Sequence, residues 1–268
     1  MNRYLIVLDL DGTLLTSEKN IDPRTKEVIQ KVMEAGHIVM IATGRPFRAS
    51  KAYYEELHLN TPIVNFNGAY IHHPHQPEWG TIHSPLELET LKGILETCDH
   101  YELTNIFIEV KDHVYINNPD PLVADLFEIG NPTITYGPIQ EKLKEAPTSV
   151  LLQTNEQQTK AVLHALDTEY SEAIEQRSWG KPSNIIEVIK RGVNKAVGIK
   201  KVAQDYNIPP ERIIAFGDED NDKEMISYAG QGVAMGNAIA ELKALADAVT
   251  ESNDDTGIAN YLERTFLL

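Results

Sequence analysis

Two aspartates one residue apart, Asp9 and Asp11, follow directly on an apolar run in the stretch YLIVLDLDGTLLT at residues 4–16. Two carboxylates about 4 Å apart repel by roughly 4 kcal/mol at an effective dielectric constant of about 20, so a fold that sets them together has to meet them with positive charge. Three later segments carry the partners: TGR supplies Thr43, Gly44 and Arg45, GVNK ends in Lys195, and GDEDND holds Asp218, Asn221 and Asp222. With oxygen ligands only and no Cys or His in these segments, the cation they favour is Mg²⁺ rather than zinc. Lys195 is a second positive charge that could reach the same place. Such parts suit phosphoryl transfer, which wants an in-line nucleophile, a metal and donors around the equatorial oxygens. One carboxylate can attack phosphorus to give an acyl phosphate while its neighbour protonates the leaving oxygen and later activates water.

The elements that must position these residues alternate strand and helix. YLIVL is a continuous apolar run of the kind that forms a parallel strand buried on both faces. Asp22 and Pro23 open a helix whose stripe is Val28, Ile29, Val32 and Met33, and Gly36 ends it. HIVMIAT predicts a second strand, residues 46–57 a second helix, and PIVNFNGAYI a third strand, which together make a βαβαβ unit with right-handed crossovers. Ligands of such sheets bind beyond the carboxyl ends of the strands. Asp9, Asp11 and Asp218 are therefore expected to meet at one edge, with Gly12 allowing the tight turn.

From about residue 83 the pattern changes. A helix over residues 86–98, a hairpin IFIEV-KD-VYINN, the strand TSVLLQT, a helix over residues 156–169 and the strands AIEQRSW and NIIEVIK read as a separate α+β unit. The fold class is α/β: a Rossmann-like core of residues 1–82 and 191–268, with an inserted α+β domain at residues 83–190. After Lys195 the core pattern resumes with helix, RIIAFGD, helix, QGVAMG, helix, DAVT and a last helix.

Composition narrows the function classes. A chain of 268 residues with 42% hydrophobic and 24% charged residues can bury cores in two domains, and a net charge of −16 leaves no basic excess for nucleic acid or an anionic membrane surface. Asp9 breaks the first apolar run, so no signal peptide or membrane span is read there, and one cysteine, Cys98, fits a reducing compartment. A cytoplasmic protein is expected.

DLDGTLL, IATGR, VNK and FGDEDNDKEMI resemble, in order, the four motifs of the haloacid dehalogenase (HAD) superfamily, and specifically its Cof-type phosphatases with a C2B cap. NFNGA before the insertion and GVAMGNA after the fourth motif extend the resemblance along nearly the whole chain. The resemblance implies that Asp9 is the nucleophile and Asp11 the acid and base, whose backbone carbonyl also reaches Mg²⁺. It implies that Thr43 hydrogen-bonds the phosphoryl group, with Gly44 and Arg45 beside it, and that Lys195 neutralises nucleophile and phosphate. Asp218 would ligate Mg²⁺, Asp222 would support it from behind, and Asn221 would touch phosphate or metal-bound water. The implied activity is Mg²⁺-dependent hydrolysis of a small phosphorylated metabolite, a sugar phosphate or a cofactor such as pyridoxal phosphate or FMN, by a monomer or homodimer. A phosphomutase and a noncatalytic phosphometabolite sensor are the alternatives.

Plainer readings stand beside these. Arg45 serves equally as a substrate contact or an ordinary salt bridge, and Asn67 and Asn237 stand at strand ends facing the same edge, with Glu187 a weaker candidate. HHPH at residues 72–75 matches no structural zinc spacing and reads as a loop. Asp254 and Asp255 are expected to cap the last helix, and Cys98 to be inert packing.

Overall fold

The structure, a computed structural model, describes residues 3–119, 127–179 and 184–267. The chain forms two compact units, one of Met1–Arg45, Ser50–Ile82 and Asn194–Leu268 and one of Pro46–Ala49 with His83–Val193.

The first unit is built on five parallel strands in the order Ala248–Val249, Gln231–Ala234, Ile213–Gly217, Leu5–Leu8 and Ile38–Ile41. Leu5–Leu8 lies inside this sheet, and all four of its side chains are fully buried. Each such side chain contributes about 1.5–3 kcal/mol of burial, which fixes the strand firmly in place. Leu8 is level with Phe216 on one side and Ile41 on the other, so three strands end at one edge. The helix Pro23–Glu34 buries Thr25, Val28, Ile29 and Val32 and is capped by Asp22, whose side chain accepts from the backbone N–H of Arg24 and Thr25.

The expected third strand is split. Ile63–Asn65 and Tyr70–His72 form an antiparallel hairpin joined by a turn at Phe66–Gly68, and Thr81–His83 extends this small sheet. Phe66, Asn67 and Gly68 all have positive φ, at 49°, 54° and 105°, a run that reverses the chain and ends the strand. Its link to the parallel sheet is the single bridge of Ala42 to Val64. His72 of the HHPH segment ends the second strand of this hairpin.

The second unit is a six-stranded sheet in the order Ile174–Ser178, Ile185–Lys190, Ser149–Gln153, Asn105–Val110, His113–Ile116 and Thr133–Tyr136. Its pairs are antiparallel except the last, which is parallel. Leu91, Ile94 and Leu95 of the helix Leu88–Cys98 and Val162 and Leu166 of the helix Thr159–Tyr170 share one core with Ile108, Val150 and Val188 of the strands. Cys98 is buried in that core, and burial pushes its thiol up to about 12. Among the described residues no helix is long and apolar enough to cross a membrane.

The last helix, Gly257–Phe266, is not capped by aspartate. Its N-cap position is Thr256, in a left-handed conformation with φ 55° and without a side-chain cap bond. Asp254 instead accepts from the backbone N–H of Ser17 at 2.8 Å and from its hydroxyl at 2.6 Å, while Asp255 accepts from the Ser252 hydroxyl. A partner 237 residues away prevails over the local capping pattern.

Candidate active site

Asp9 leaves the buried strand with its backbone N–H still paired to the Phe216 carbonyl at 3.2 Å. The neighbouring strand ends one residue later in Asp218, so the two carboxylates share the sheet edge. Gly12, at φ +72°, turns the chain over them: a Cβ there would lie 2.1 Å from Asp218 Oδ2, which no side chain tolerates. The hydroxyl of Thr13 donates to Asp218 Oδ1 at 2.8 Å.

Lys195 is the first residue of the helix Lys195–Asp205, where the positive end of the helix dipole disfavours a cation. Two carboxylates overcome that. Its Nζ donates to Asp9 Oδ1 and to Asp222 Oδ1, both at 2.6 Å, and its side chain is wholly buried. Gly198, one turn on, lets this helix approach the strand Ile63–Asn65, because a Cβ there would sit 2.4 Å from Val64. Asp222 is used fully: its Oδ2 accepts from the backbone N–H of Asp218 at 2.9 Å and of Glu219 at 3.1 Å. It thereby orders the loop that carries Asp218.

One oxygen each from Asp9, Asp218 and Asp222 lie within 4.8 Å of one another, the single such group of three among the described residues. Three carboxylates against one ammonium leave two negative charges in a buried site. Burial first, and then the charge of Asp222, pushes Asp218 up to about 7 against the opposing Thr13 hydroxyl and Lys195. Asp9 is also held well above its usual range by burial and by Asp222 and Asp218, with Lys195 opposing. Each carboxylate pair costs about 3 to 4 kcal/mol at this separation and an effective dielectric constant of about 20. All-oxygen donors with a formal charge of minus two when ionised fit a hard divalent cation, which Asp9 and Asp218 could hold while Asp222 is engaged with Lys195 and the loop.

Asp11 is not in that group. Arg45 grips its carboxylate with Nε on Oδ2 at 2.6 Å and Nη2 on Oδ1 at 2.7 Å, and Lys19 adds Nζ on Oδ1 at 2.8 Å. Partial burial opposes ionisation, but these two cations prevail and lower Asp11 to about 2. The carboxyl is therefore ionised and 43% exposed. Spacing alone places Asp11 beside Asp9, because residues i and i+2 of a strand share a face; the strand ends at Leu8, however, and the chain is already turning toward Gly12, so that alternation does not extend to Asp11.

Thr43 is buried, accepts from the Arg45 backbone N–H at 3.1 Å, and passes its carbonyl to the backbone N–H of Asn67 at 3.1 Å. Asn67 in turn accepts from Asn221 Nδ2 at 2.9 Å, and a Cβ on Gly44 would come within 3.2 Å of the Asn67 amide. Thr43, Gly44, Asn67 and Asn221 thus form one polar group. Asn237 donates to the Gly12 carbonyl at 2.8 Å and so holds the turn rather than a carboxylate. Glu187 lies in the second unit, where Trp179 Nε1 donates to it at 3.3 Å. Sequence reasoning missed Thr13 and Lys19. Thr13 stands within the DGT stretch beside the aspartates, whereas nothing in its spacing marks Lys19.

Residues 6–262 match the family described as haloacid dehalogenase-like hydrolase. Over 265 residues, 99% of this chain and 98% of the relative, the chain is 45% identical to the 5-amino-6-(5-phospho-D-ribitylamino)uracil phosphatase YitU of Bacillus subtilis. It is 30% identical to a second phosphatase of the same description, YwtE of Bacillus subtilis, over 97% of this chain and 96% of that one. A haloacid dehalogenase-like hydrolase from Bacteroides thetaiotaomicron has the same fold, with a TM-score of 0.85, 28% identity, and coverage of 99% of this chain and 100% of the other. The chain belongs to the haloacid dehalogenase-like hydrolases, among the Cof-type phosphatases of that superfamily.

Proposed function

We propose that the chain is a Mg²⁺-dependent phosphatase that hydrolyses a small phosphorylated metabolite through an aspartyl phosphate on Asp9. The observation that carries the reading is the buried group of Asp9, Asp218 and Asp222 around Lys195, with two negative charges in excess. Asp9 and Asp218 would hold Mg²⁺, which would supply charge to neutralise phosphoryl oxygens and let an anionic ester approach an anionic nucleophile.

The chain's own residues do the rest. Lys195 fixes the Asp9 carboxylate, and an Asp9 oxygen forms a bond to phosphorus as the ester P–O bond breaks. Once the substrate phosphate draws Arg45 away, Asp11 takes up a proton from solvent and gives it to the departing alcohol oxygen, then takes one from the water that attacks the acyl phosphate, which releases phosphate and restores Asp9. A dianionic phosphate competes with Asp11 for Arg45, which frees one Asp11 oxygen for the proton. Thr43 and Asn221, ordered through Asn67, donate to phosphoryl oxygens, and Gly44 leaves room for them.

The substrate is assigned as a phosphate ester of a primary alcohol on a polyol chain, the group in the phosphoribitylaminouracil on which the relative YitU acts. Identity of 45% along nearly the full length supports that choice over other metabolite phosphates. Selection among esters is assigned to the inserted α+β segment, residues 83–190. The protein acts in the cytoplasm, where its one cysteine stays reduced.

The test is phosphate release from the phosphoribityl compound, sugar phosphates, pyridoxal phosphate and FMN, with Mg²⁺ and with EDTA. Free phosphate that requires Mg²⁺, greatest for the phosphoribityl compound, is expected. Isomerised sugar phosphate in place of free phosphate, or binding without turnover of any ester, would overturn the reading.

A further inference from the structure

Lys19 has no part in the reading of the site from its motifs, yet the structure spends several contacts on its placement. It lies on the turn Thr16–Asn20, closed by Thr16 N–H on the Asn20 carbonyl and Lys19 N–H on the Thr16 carbonyl, both at 2.9 Å. Its backbone is left-handed, at φ 61°, a conformation that a residue with a long side chain seldom takes without being held there. Two anchors hold it. On one side Asp254 binds the N–H and hydroxyl of Ser17, and Asn253 Nδ2 donates to the Leu15 carbonyl at 2.8 Å. On the other, the Tyr53 hydroxyl donates to the carbonyl of Lys19 itself at 3.0 Å.

Stability does not account for this arrangement. The Lys19–Asp11 pair is exposed, at 57% and 43% for the two side chains, and exposed pairs contribute little to folding. Tyr53 also carries Arg45, whose guanidinium carbon stands 5.5 Å from the centre of its ring. One tyrosine therefore sets both cations that meet Asp11. Arg45 can be drawn to a phosphate, being next to Thr43 and Gly44, whereas Lys19 is tied by its backbone to the side of Asp11.

We propose that Lys19 is a positioning residue for Asp11, keeping its carboxylate oriented through Oδ1 when Arg45 turns to the substrate phosphate. Asp254 and Tyr53 act one step further out, as the anchors of the turn that presents Lys19. The inference rests on the reading of Asp11 as the proton carrier. It goes further in assigning the orientation of Asp11 to a residue on a separate turn.

The experiment compares kcat/KM for a phosphoribityl ester, whose alkoxide needs a proton to leave, with kcat/KM for para-nitrophenyl phosphate, whose phenolate does not. Lys19→Met is expected to lower the first about tenfold and the second less than about threefold, and Lys19→Arg to restore most of the loss. Tyr53→Phe and Asp254→Ala are expected to show the same selectivity with smaller losses, and melting curves confirm that each variant is folded. Equal losses on both esters, or no loss on the phosphoribityl ester, would overturn the inference. Asp11→Asn is run alongside: selective loss there with none in Lys19→Met removes the inference alone, whereas no selectivity in Asp11→Asn removes the role of Asp11 and the inference with it.

Discussion

Asp9 and Asp11 are two residues apart and have opposite surroundings. Asp9 sits in a buried group where carboxylates outnumber cations, and burial and its acidic neighbours hold its carboxyl well above the usual range. Asp11 sits at a half-exposed edge where two cations meet one carboxylate, and it is lowered to about 2. The same side chain is thus made cation-seeking in one place and cation-saturated in the other. For the proposed roles both must change on loading: a divalent cation would lower Asp9, and loss of Arg45 to a phosphate would raise Asp11.

The largest test of the contrast is at Lys195. Lys195→Met strips the buried group of its internal cation, and the folded state in EDTA should lose about 3–5 kcal/mol, seen as a lower midpoint in denaturant melts, along with turnover. An unchanged midpoint would mean that the carboxylates do not strain the fold. Asp218→Asn should act in the opposite sense. Without its charge the repulsion is relieved, so stability in EDTA should rise by about 1 kcal/mol or more while the stabilisation by Mg²⁺ disappears. A Mg²⁺ shift that survives this change would place the ion elsewhere.

Acidity gives a third handle. Asp218 stands at about 7 in the folded chain against an ordinary 3.8, so between those values the folded state holds a proton that the unfolded state has released. Stability in EDTA is therefore full below the lower value and falls as pH rises through the window, and the increase in melting temperature on adding Mg²⁺ grows over the same range. Thermal melts from about pH 5 to about pH 8 would show it, and a flat Mg²⁺ effect would contradict it. The smallest effect belongs to the exposed side of the comparison. Asp11→Asn should change stability by less than about 1 kcal/mol although it removes the partner of two cations. A larger change would make the Arg45 and Lys19 contacts structural.

The buried side of this contrast was legible in the sequence. An unbroken apolar run followed by Asp9, a second ending at Asp218, and a parallel sheet between them bring the two carboxylates together by topology alone. The exposed side was not, because Asp11 is claimed by Lys19, whose turn is fixed by Ser17 with Asp254, a pairing across 237 residues that no local pattern announces. The third strand failed for a different reason. The apolar run PIVNFNGAYI hid the Asn67–Gly68 pair, a hairpin signal, and Phe66 adopts a positive φ that its aromatic side chain gives no reason to expect.

The most direct measurement is the site of covalent phosphorylation. Protein quenched during turnover of the phosphoribityl ester, reduced with borohydride and mapped by peptide mass spectrometry should carry the modification on Asp9 and on neither Asp218 nor Asp222. Asp9→Asn should carry none and release no phosphate. Label on another carboxylate, or sustained phosphate release by Asp9→Asn free of host phosphatases, would contradict the assignment of Asp9 as nucleophile.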